Sequence, residues 1–195
     1  MIKTLEVPAL LTMAALVLPG GAWADSTEPS LISGEDAYLS QTVVDPATGT
    51  TTYLTITGSR STRSQLGQPA STSLGCEVDI TQYDSAGNLL LQGIGFSDPD
   101  STTLTISQNL AKANLDASMI FVDFNTGEVL TLDVALSFKC RGPVDHTVTD
   151  NGDPSQLLIK DSRASVAAGT IQIGAQSLDL GGQLAQLERS LIVGH

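Results

Sequence analysis

His146 is the residue of this chain best suited to acid–base chemistry, and it follows an aspartate, Asp145. Serines are abundant, so a Ser-His-Asp arrangement for hydrolysis is one hypothesis. However, no G-x-S-x-G sequence is present to hold a nucleophile, and the side chains of adjacent residues in an extended segment diverge. We therefore predict that His146 lies in an exposed loop without an orienting partner, and that it is dispensable.

Acidic turns are the second place where chemistry is expected. Asp98 and Asp100 flank a proline, and Asp150 and Asp153 flank Asn-Gly. Oxygen ligands in turns favour calcium. Neither segment matches an EF-hand loop, and aspartate is frequent in turns for backbone reasons alone. These four residues are calcium candidates only, and we predict no cofactor.

Cys76 and Cys140 are the only cysteines of the chain. Both fall on the apolar side of a predicted strand, and neither belongs to a C-x-x-C pair that would favour redox chemistry or zinc. Because the chain starts with an export signal, we predict a core disulfide between them. Closing a loop of this length would stabilise the fold by about 4 kcal/mol in the chain-entropy model.

The start of the chain has the three parts of a secretory signal peptide. Lys3 precedes an apolar run, 9–18, which ends at Pro19-Gly20-Gly21 and the small-x-small sequence Ala22-Trp23-Ala24. The run is too short to cross a membrane, which needs about 20 apolar residues. We predict a signal peptide over residues 1–24, cleavage between Ala24 and Asp25, and a single exported domain over 25–195, in the periplasm, on the cell surface or outside the cell.

Composition excludes several classes of function. The formal net charge is −12, and no basic patch is present that would displace counterions from nucleic acid. Nucleotide-binding glycine loops are absent. Aromatic residues make up 4% of the chain, which does not favour a stacking platform for sugars or bases. We expect no nucleic-acid partner, no membrane span after signal removal, and an unidentified ligand in the envelope or outside the cell.

Apolar residues alternate with polar ones along the chain, which is typical of strands with one buried face. The clearest run is 130–140, where every second residue from Leu130 to Cys140 is apolar. In 76–81, Cys76, Val78 and Ile80 share one side, while Glu77 and Asp79 face away. Glu77 and Asp79 also have the spacing of a catalytic carboxylate pair, but outward acids of any acidic β-protein share it.

Further strands are predicted over 37–44, 53–58, 89–96, 104–108, 114–122, 166–173 and 184–193, the last with a short helix as the alternative. The polar segments 59–73 and 142–155 are predicted as long loops. Short strands separated by turn signals favour an all-β fold. We predict an antiparallel β-sandwich, with a barrel as the alternative.

Glycine-containing turns are predicted at 45–49, 84–88 and 125–127. In the last, a three-residue loop with Gly127 in the left-handed region would set Val122 opposite Leu130 and Ile120 opposite Leu132. This register predicts that Ile120 and Val122 point into the core.

The segment 161–170, with Gly181 and Leu184-Ala185-Gln186-Leu187, resembles the C-terminal part of small exported bacterial β-proteins whose activity is uncharacterised. The resemblance covers a small part of the chain and implies no activity. In its size and export the chain also resembles chaperone-usher pilins, with Gly182 where their last strand often has glycine. It departs from them in the cysteine spacing and in Gly194, where an aromatic residue is expected.

Our first hypothesis is an exported, non-enzymatic accessory or binding module that presents its ligand site on the loops 59–73 and 142–155. A structural subunit of a surface fibre, joined by strand addition, is the first alternative. A hydrolase using His146 is the second.

Overall fold

The computed structural model describes residues 30–150 and 156–194. Within these ranges the chain is almost entirely antiparallel strand, with a single 3-10 turn at Pro99–Ser101. The predicted all-β fold is confirmed. The predicted signal peptide, its cleavage site at Ala24 and Asp25, and the calcium candidate Asp153 lie outside the described residues. No helix in the described part of the chain has the length and apolarity needed to span a membrane.

Ten strands follow one another along the described ranges. They are β1 (Ser30–Val44), β2 (Thr51–Gln65), β3 (Ser71–Tyr83), β4 (Leu89–Phe96), β5 (Thr102–Ile106), β6 (Lys112–Asp123), β7 (Val129–Cys140), β8 (Asp145–Thr149), β9 (Gln156–Ile173) and β10 (Gln176–Gly194).

Strand pairing closes the sheet on itself. The order is β1-β2-β3-β4-β6-β7-β9-β10, and β10 pairs again with β1. β5 pairs with residues 113–117 of β6, which precede the residues of β6 that pair with β4. β8 pairs with residues 158–162 of β9, which precede the residues of β9 that pair with β7. This single closed sheet corresponds to the barrel alternative and not to the two stacked sheets of a sandwich.

Apolar side chains fill the space inside the closed sheet. β6 shows the alternation most clearly, because Ala113, Leu115, Ala117, Met119 and Phe121 are buried while the residues between them are exposed. All the remaining strands of the ring also contribute side chains to this core. With the interior occupied, a ligand must bind on the outside of the sheet or at one of its ends.

The two ends of the closed sheet differ. One end, which we call the upper end, carries the turns 45–50, 84–88 and 124–128, in which Gly49, Gly87 and Gly127 have positive φ, as predicted for Gly127. At the lower end, β1, β2, β3, β9 and β10 extend beyond the ring, with β8 beside β9. Leu110, from the turn 107–111, is buried and closes the core at this end.

The predicted long loop over 59–73 is wrong, because β2 and β3 run through most of it and leave only the turn 66–70. The predicted loop over 142–155 is wrong at 145–149, which form β8, and its residues 151–155 lie outside the described ranges. Cross-strand hydroxyl pairs support the first hairpin, with 2.8 Å between Ser61 Oγ and Ser73 Oγ and 3.1 Å between Thr62 Oγ1 and Thr72 Oγ1. Threonine is β-branched and suits a strand although it is polar. The alternative of a C-terminal helix is also replaced by strand, β10.

The predicted register of the β6–β7 hairpin is also wrong. Val122 pairs with Val129 and Ile120 with Thr131. The Asp123 carboxylate accepts hydrogen bonds from the Asn125 N–H at 2.9 Å and the Thr126 hydroxyl at 2.7 Å, so the loop comprises 124–127. A loop with an even number of residues pairs positions of opposite parity. Ile120 and Val122 therefore point outward.

Cys76 and Cys140 do not form the predicted disulfide, and both are free. Their side chains point inward, but β3 and β7 are separated in the sheet by β4 and β6. Alternation predicts the side of a strand that is buried, not the position of that strand around the sheet. Burial, with a smaller contribution from the charge of Glu77, raises the pKa of the Cys76 thiol to about 12.

Candidate functional site

His146 lies on β8 and has an orienting partner, contrary to the prediction. Its Nδ1 is 2.6 Å from the Asp161 carboxylate, because Asp161 is its register partner on β9. Both side chains are exposed, as predicted for His146. Among the described residues, no hydroxyl or thiol is hydrogen-bonded to the His146 ring. The pair has the geometry of a base and its orienter but not of a nucleophile and its base.

His146 and Asp161 belong to a row of charged side chains across the lower end. The register sets Asp161 beside Arg189, Arg189 beside Glu35, and Glu35 beside Arg60. Glu35 accepts hydrogen bonds from Arg60 Nε at 3.0 Å and from Arg189 Nη2 at 2.7 Å. Burial disfavours the charge on Glu35, but the bonds from both guanidinium groups outweigh it and hold the pKa of Glu35 below its ordinary value.

The arginines of the lower end also hold the backbone. Arg189 donates to the Gln108 carbonyl at 2.6 Å, and Arg163 donates to the carbonyls of Asn109 at 3.1 Å and Gly142 at 2.9 Å. These bonds fix the turn that carries Leu110 over the core. These arginine side chains thus hold the fold together through ion pairs and through hydrogen bonds to backbone carbonyls.

Three of the four calcium candidates, Asp98, Asp100 and Asp150, lie in the described part of the chain. Asp98 precedes the 3-10 turn and its carbonyl accepts a bond from Thr102 Oγ1, while Asp100 is exposed on that turn. Asp150 follows β8. No group of three or more potential metal-ligating side chains occurs among the described residues.

A groove of about 390 Å³ lies on the outer surface of β1, β2 and β3. Ser40, Thr42, Thr55, Tyr53 and Asp79 contribute to its lining. Tyr53 is half-exposed, and the Tyr83 ring packs edge-on against it with 6.1 Å between ring centroids. The groove presents hydroxyl groups, one aromatic ring and one carboxylate.

An exposed apolar patch adjoins this groove. Ile94 of β4, Val122 of β6 and Val129 of β7 form one row across three strands, and Phe96 and Ile120 lie side by side in the next row. Phe96 is 60% exposed and Ile120 is 65% exposed. We call these five residues the apolar patch. Other exposed apolar side chains, such as Val44, Val148 and Leu184, lie elsewhere on the exterior. The patch is distinguished by the cross-strand pairing of its members on three neighbouring strands.

Carboxylates lie on two sides of the apolar patch. Glu77 and Asp79 of β3 are the register partners of Phe96 and Ile94. On the opposite side, Asp133 lies on the outer face of β7, two residues beyond Thr131, which is the register partner of Ile120. We call Glu77, Asp79 and Asp133 the acidic rim. Glu77 and Asp79, which share the spacing of a catalytic pair, thus border an apolar surface.

Basic residues are segregated from this surface. All the described lysines and arginines lie toward the lower end, on late β2, early β6, late β7, early β9 and late β10: Arg60, Arg63, Lys112, Lys139, Arg141, Lys160, Arg163 and Arg189. In the described part of the chain, the acidic rim therefore faces solvent without a neighbouring cation.

The apolar patch is not predicted from the sequence, because the predicted register puts Ile120 and Val122 in the core. A signal was present, since 119–122 is Met-Ile-Phe-Val and both faces of that strand are apolar. A strand with one wet face would alternate there. Comparison with known proteins adds no relative, because the chain matches no protein-family model, no curated protein and no solved structure.

Proposed function

We propose that the protein is an exported, non-enzymatic binding module whose recognition surface is the apolar patch with the adjoining groove. The observation that carries this proposal is that Phe96 and Ile120 are both exposed and lie side by side within an apolar surface that spans three neighbouring strands. Exposed apolar patches rimmed by polar residues are characteristic of interaction sites. The recognition surface thus lies on strand faces of the closed sheet and not on the two segments predicted as loops.

Export is proposed from residues 1–24 alone. The free thiols of Cys76 and Cys140 remove the disulfide from the argument for an oxidising compartment. A basic start, an apolar run and Ala22-Trp23-Ala24 still support cleavage before Asp25. Intact-mass measurement of the protein recovered outside the cytoplasm tests this, and retention of residues 1–24 would overturn it.

The fibre alternative receives less support from the closed sheet. Strand addition needs an open edge, and each strand of the ring pairs on both sides along part of its length. In the described ranges, unpaired edges remain at β8, at the start of β3, along one side of β5, and where β1 (40–44) and β10 (176–184) are not paired with each other. β8 comprises only Asp145–Thr149, and each of its residues is exposed. Such a short polar edge is typical of strands that avoid edge-to-edge pairing.

Site-specific photo-crosslinking in the producing cell tests the binding role. A photoreactive residue at position 120 should yield an adduct of discrete mass. The same residue at Thr105, an exposed position of β5 away from the patch, should yield none. Equal labelling from both positions, or no adduct from positions 120, 96 and 53, would overturn the proposed recognition surface.

A further inference from the structure

We infer that the apolar patch docks a cationic amphipathic segment of a partner protein, one whose apolar side chains are flanked by lysine or arginine. The inference rests on the proposed binding function and specifies the chemistry of its partner. Three observations support it: the continuity of the patch, the uniform sign of its rim, and the distribution of the described basic residues.

Continuity comes from the strand register. Val122 lies between Ile94 and Val129, and Ile120 lies beside Phe96. The five side chains therefore form one continuous surface across three neighbouring strands. Strands are about 4.8 Å apart, and alternate residues on one strand are about 7 Å apart. A partner that covers both rows removes several large apolar side chains from water at once, which is the main source of affinity in such contacts.

The acidic rim selects the charge of the partner. Carboxylates bound the patch on two sides, from Glu77 and Asp79 on β3 and from Asp133 on β7. A segment bearing lysine or arginine beside its apolar residues gains attraction at each of these positions. An acidic or neutral segment of equal hydrophobicity does not, so the rim discriminates between them.

A second copy of this chain is disfavoured as the occupant. A symmetric contact between two patches would set acidic rim against acidic rim, between molecules of formal net charge −12. In the opposite arrangement, a copy would have to offer cations from its lower end. There Arg60 and Arg189 bind Glu35, Lys160 lies 2.7 Å from Glu188, and Arg163 binds backbone carbonyls. Such a contact would therefore depend on Lys112, Lys139 and Arg141, and a head-to-tail contact of this kind continues into an open chain of copies unless its rotation closes a ring.

The test uses the full mature chain and a pair of synthetic amphipathic peptides with identical leucine positions, one with lysine at its polar positions and the other with glutamate. Isothermal titration calorimetry should detect binding of the lysine peptide alone. Ile120→Thr combined with Phe96→Thr should weaken it at least about tenfold. Val148→Thr, at an exposed apolar position of β8, is the matched control and should leave the affinity unchanged.

The acidic rim is tested separately. Glu77→Gln combined with Asp133→Asn should weaken binding of the lysine peptide and reduce its dependence on salt, since exposed charges are screened within about 10 Å at 0.1 M salt. Neither variant removes a core side chain. Circular dichroism and thermal unfolding of each variant confirm that a loss of binding is not a loss of fold.

Three results would overturn the inference. Equal binding of the glutamate peptide would show that charge does not select the partner. Binding of the lysine peptide that survives the Ile120→Thr and Phe96→Thr pair would place it elsewhere on the acidic surface. Self-association abolished by that pair would make a second copy the occupant. In each case a crosslink from position 120 to another protein would leave the binding function standing.

Discussion

Phe96 of β4 lies directly opposite Ile120 of β6, and both side chains point away from the core. Their neighbours on the same strands, Gly95 and Phe121, lie on the inward face, and Phe121 is completely buried. The methyl group of an alanine at position 95 would lie 3.0 Å from the Met119 sulfur, so glycine leaves room for the core there. One strand thus supplies core packing with one face and the proposed contact surface with the other.

We predict that adjacent substitutions on β6 have very different effects on stability. Ile120→Thr should change the free energy of unfolding by less than about 0.5 kcal/mol, because the side chain is exposed and threonine retains β-branching. Phe121→Ala should lower it by about 3–5 kcal/mol through loss of core contacts and a cavity. Urea unfolding of both variants measures this. The reverse order would restore the register predicted from the sequence.

We predict that both thiols are free. Without reductant, the unfolded protein should react with thiol reagent at Cys76 and at Cys140. In the folded protein Cys76 should be unreactive, because burial holds the pKa of its thiol at about 12 and leaves almost no thiolate near neutral pH. Cys140, which is only half-buried, should react first. A protein that gains reactivity only after reduction would show that the disulfide forms after all.

We predict that Glu35→Gln destabilises the lower end. The neutral amide would leave Arg60 and Arg189 facing each other without their shared carboxylate. The expected loss is about 1–2 kcal/mol, less than for a fully buried pair because both guanidinium groups are partly exposed. Glu128→Gln, at an exposed turn position, is the control. Equal urea midpoints for the two variants would show that the network contributes nothing to stability.

Ionisation of Asp36 should lower the free energy of unfolding, and the size of this effect should depend on pH. Burial, with the nearby charge of Glu188, raises this pKa from 3.8 to about 6, although Lys160 opposes the shift. The unfolded chain releases the proton at lower pH than the folded one, so the penalty grows from about pH 4 and is complete above about pH 6. Asp36→Asn should therefore be more stable than wild type at pH 7, and the difference should vanish near pH 3. A constant difference would show that Asp36 is not the titrating group.

Much of the fold follows from alternation where only one phase of a strand is apolar. In 130–140 every inward residue from Leu132 to Phe138 is buried as predicted, because the residues between them are polar or small. Alternation is uninformative at 119–122, where the residues on both faces of the strand are apolar. There the turn at Asp123 decides which residues point inward. It also misses strands such as 59–65, whose serines and threonines carry no apolar signal but pair by hydroxyl groups and backbone.

The sites were less predictable because they depend on which strands are neighbours. Asp161 is 15 residues from His146 along the chain, and it reaches the histidine only through the β8–β9 register. Glu35 and Arg189 lie 154 residues apart and meet because β10 closes the ring against β1. Cys76 and Cys140 show that a shared inward face is not enough for contact, since β4 and β6 separate their strands in the closed sheet. Sequence spacing contains none of this information.

His146 provides the sharpest test of the proposal that the protein is not an enzyme. The structure supplies part of a catalytic arrangement, because His146 Nδ1 lies 2.6 Å from the Asp161 carboxylate and the His146 side chain is exposed. A hydrolase also needs a nucleophile beside that nitrogen and donors for the oxyanion, and the described residues place no hydroxyl in hydrogen-bond contact with the ring. The row that His146 joins serves the fold through Arg189 and Glu35. We therefore expect His146→Ala and Asp161→Asn to leave peptide binding at the apolar patch unchanged, with no esterase, peptidase or glycosidase turnover in wild type or variants. Turnover by the wild type that both substitutions abolish would refute the non-enzymatic role and make this pair the catalytic base and its orienter.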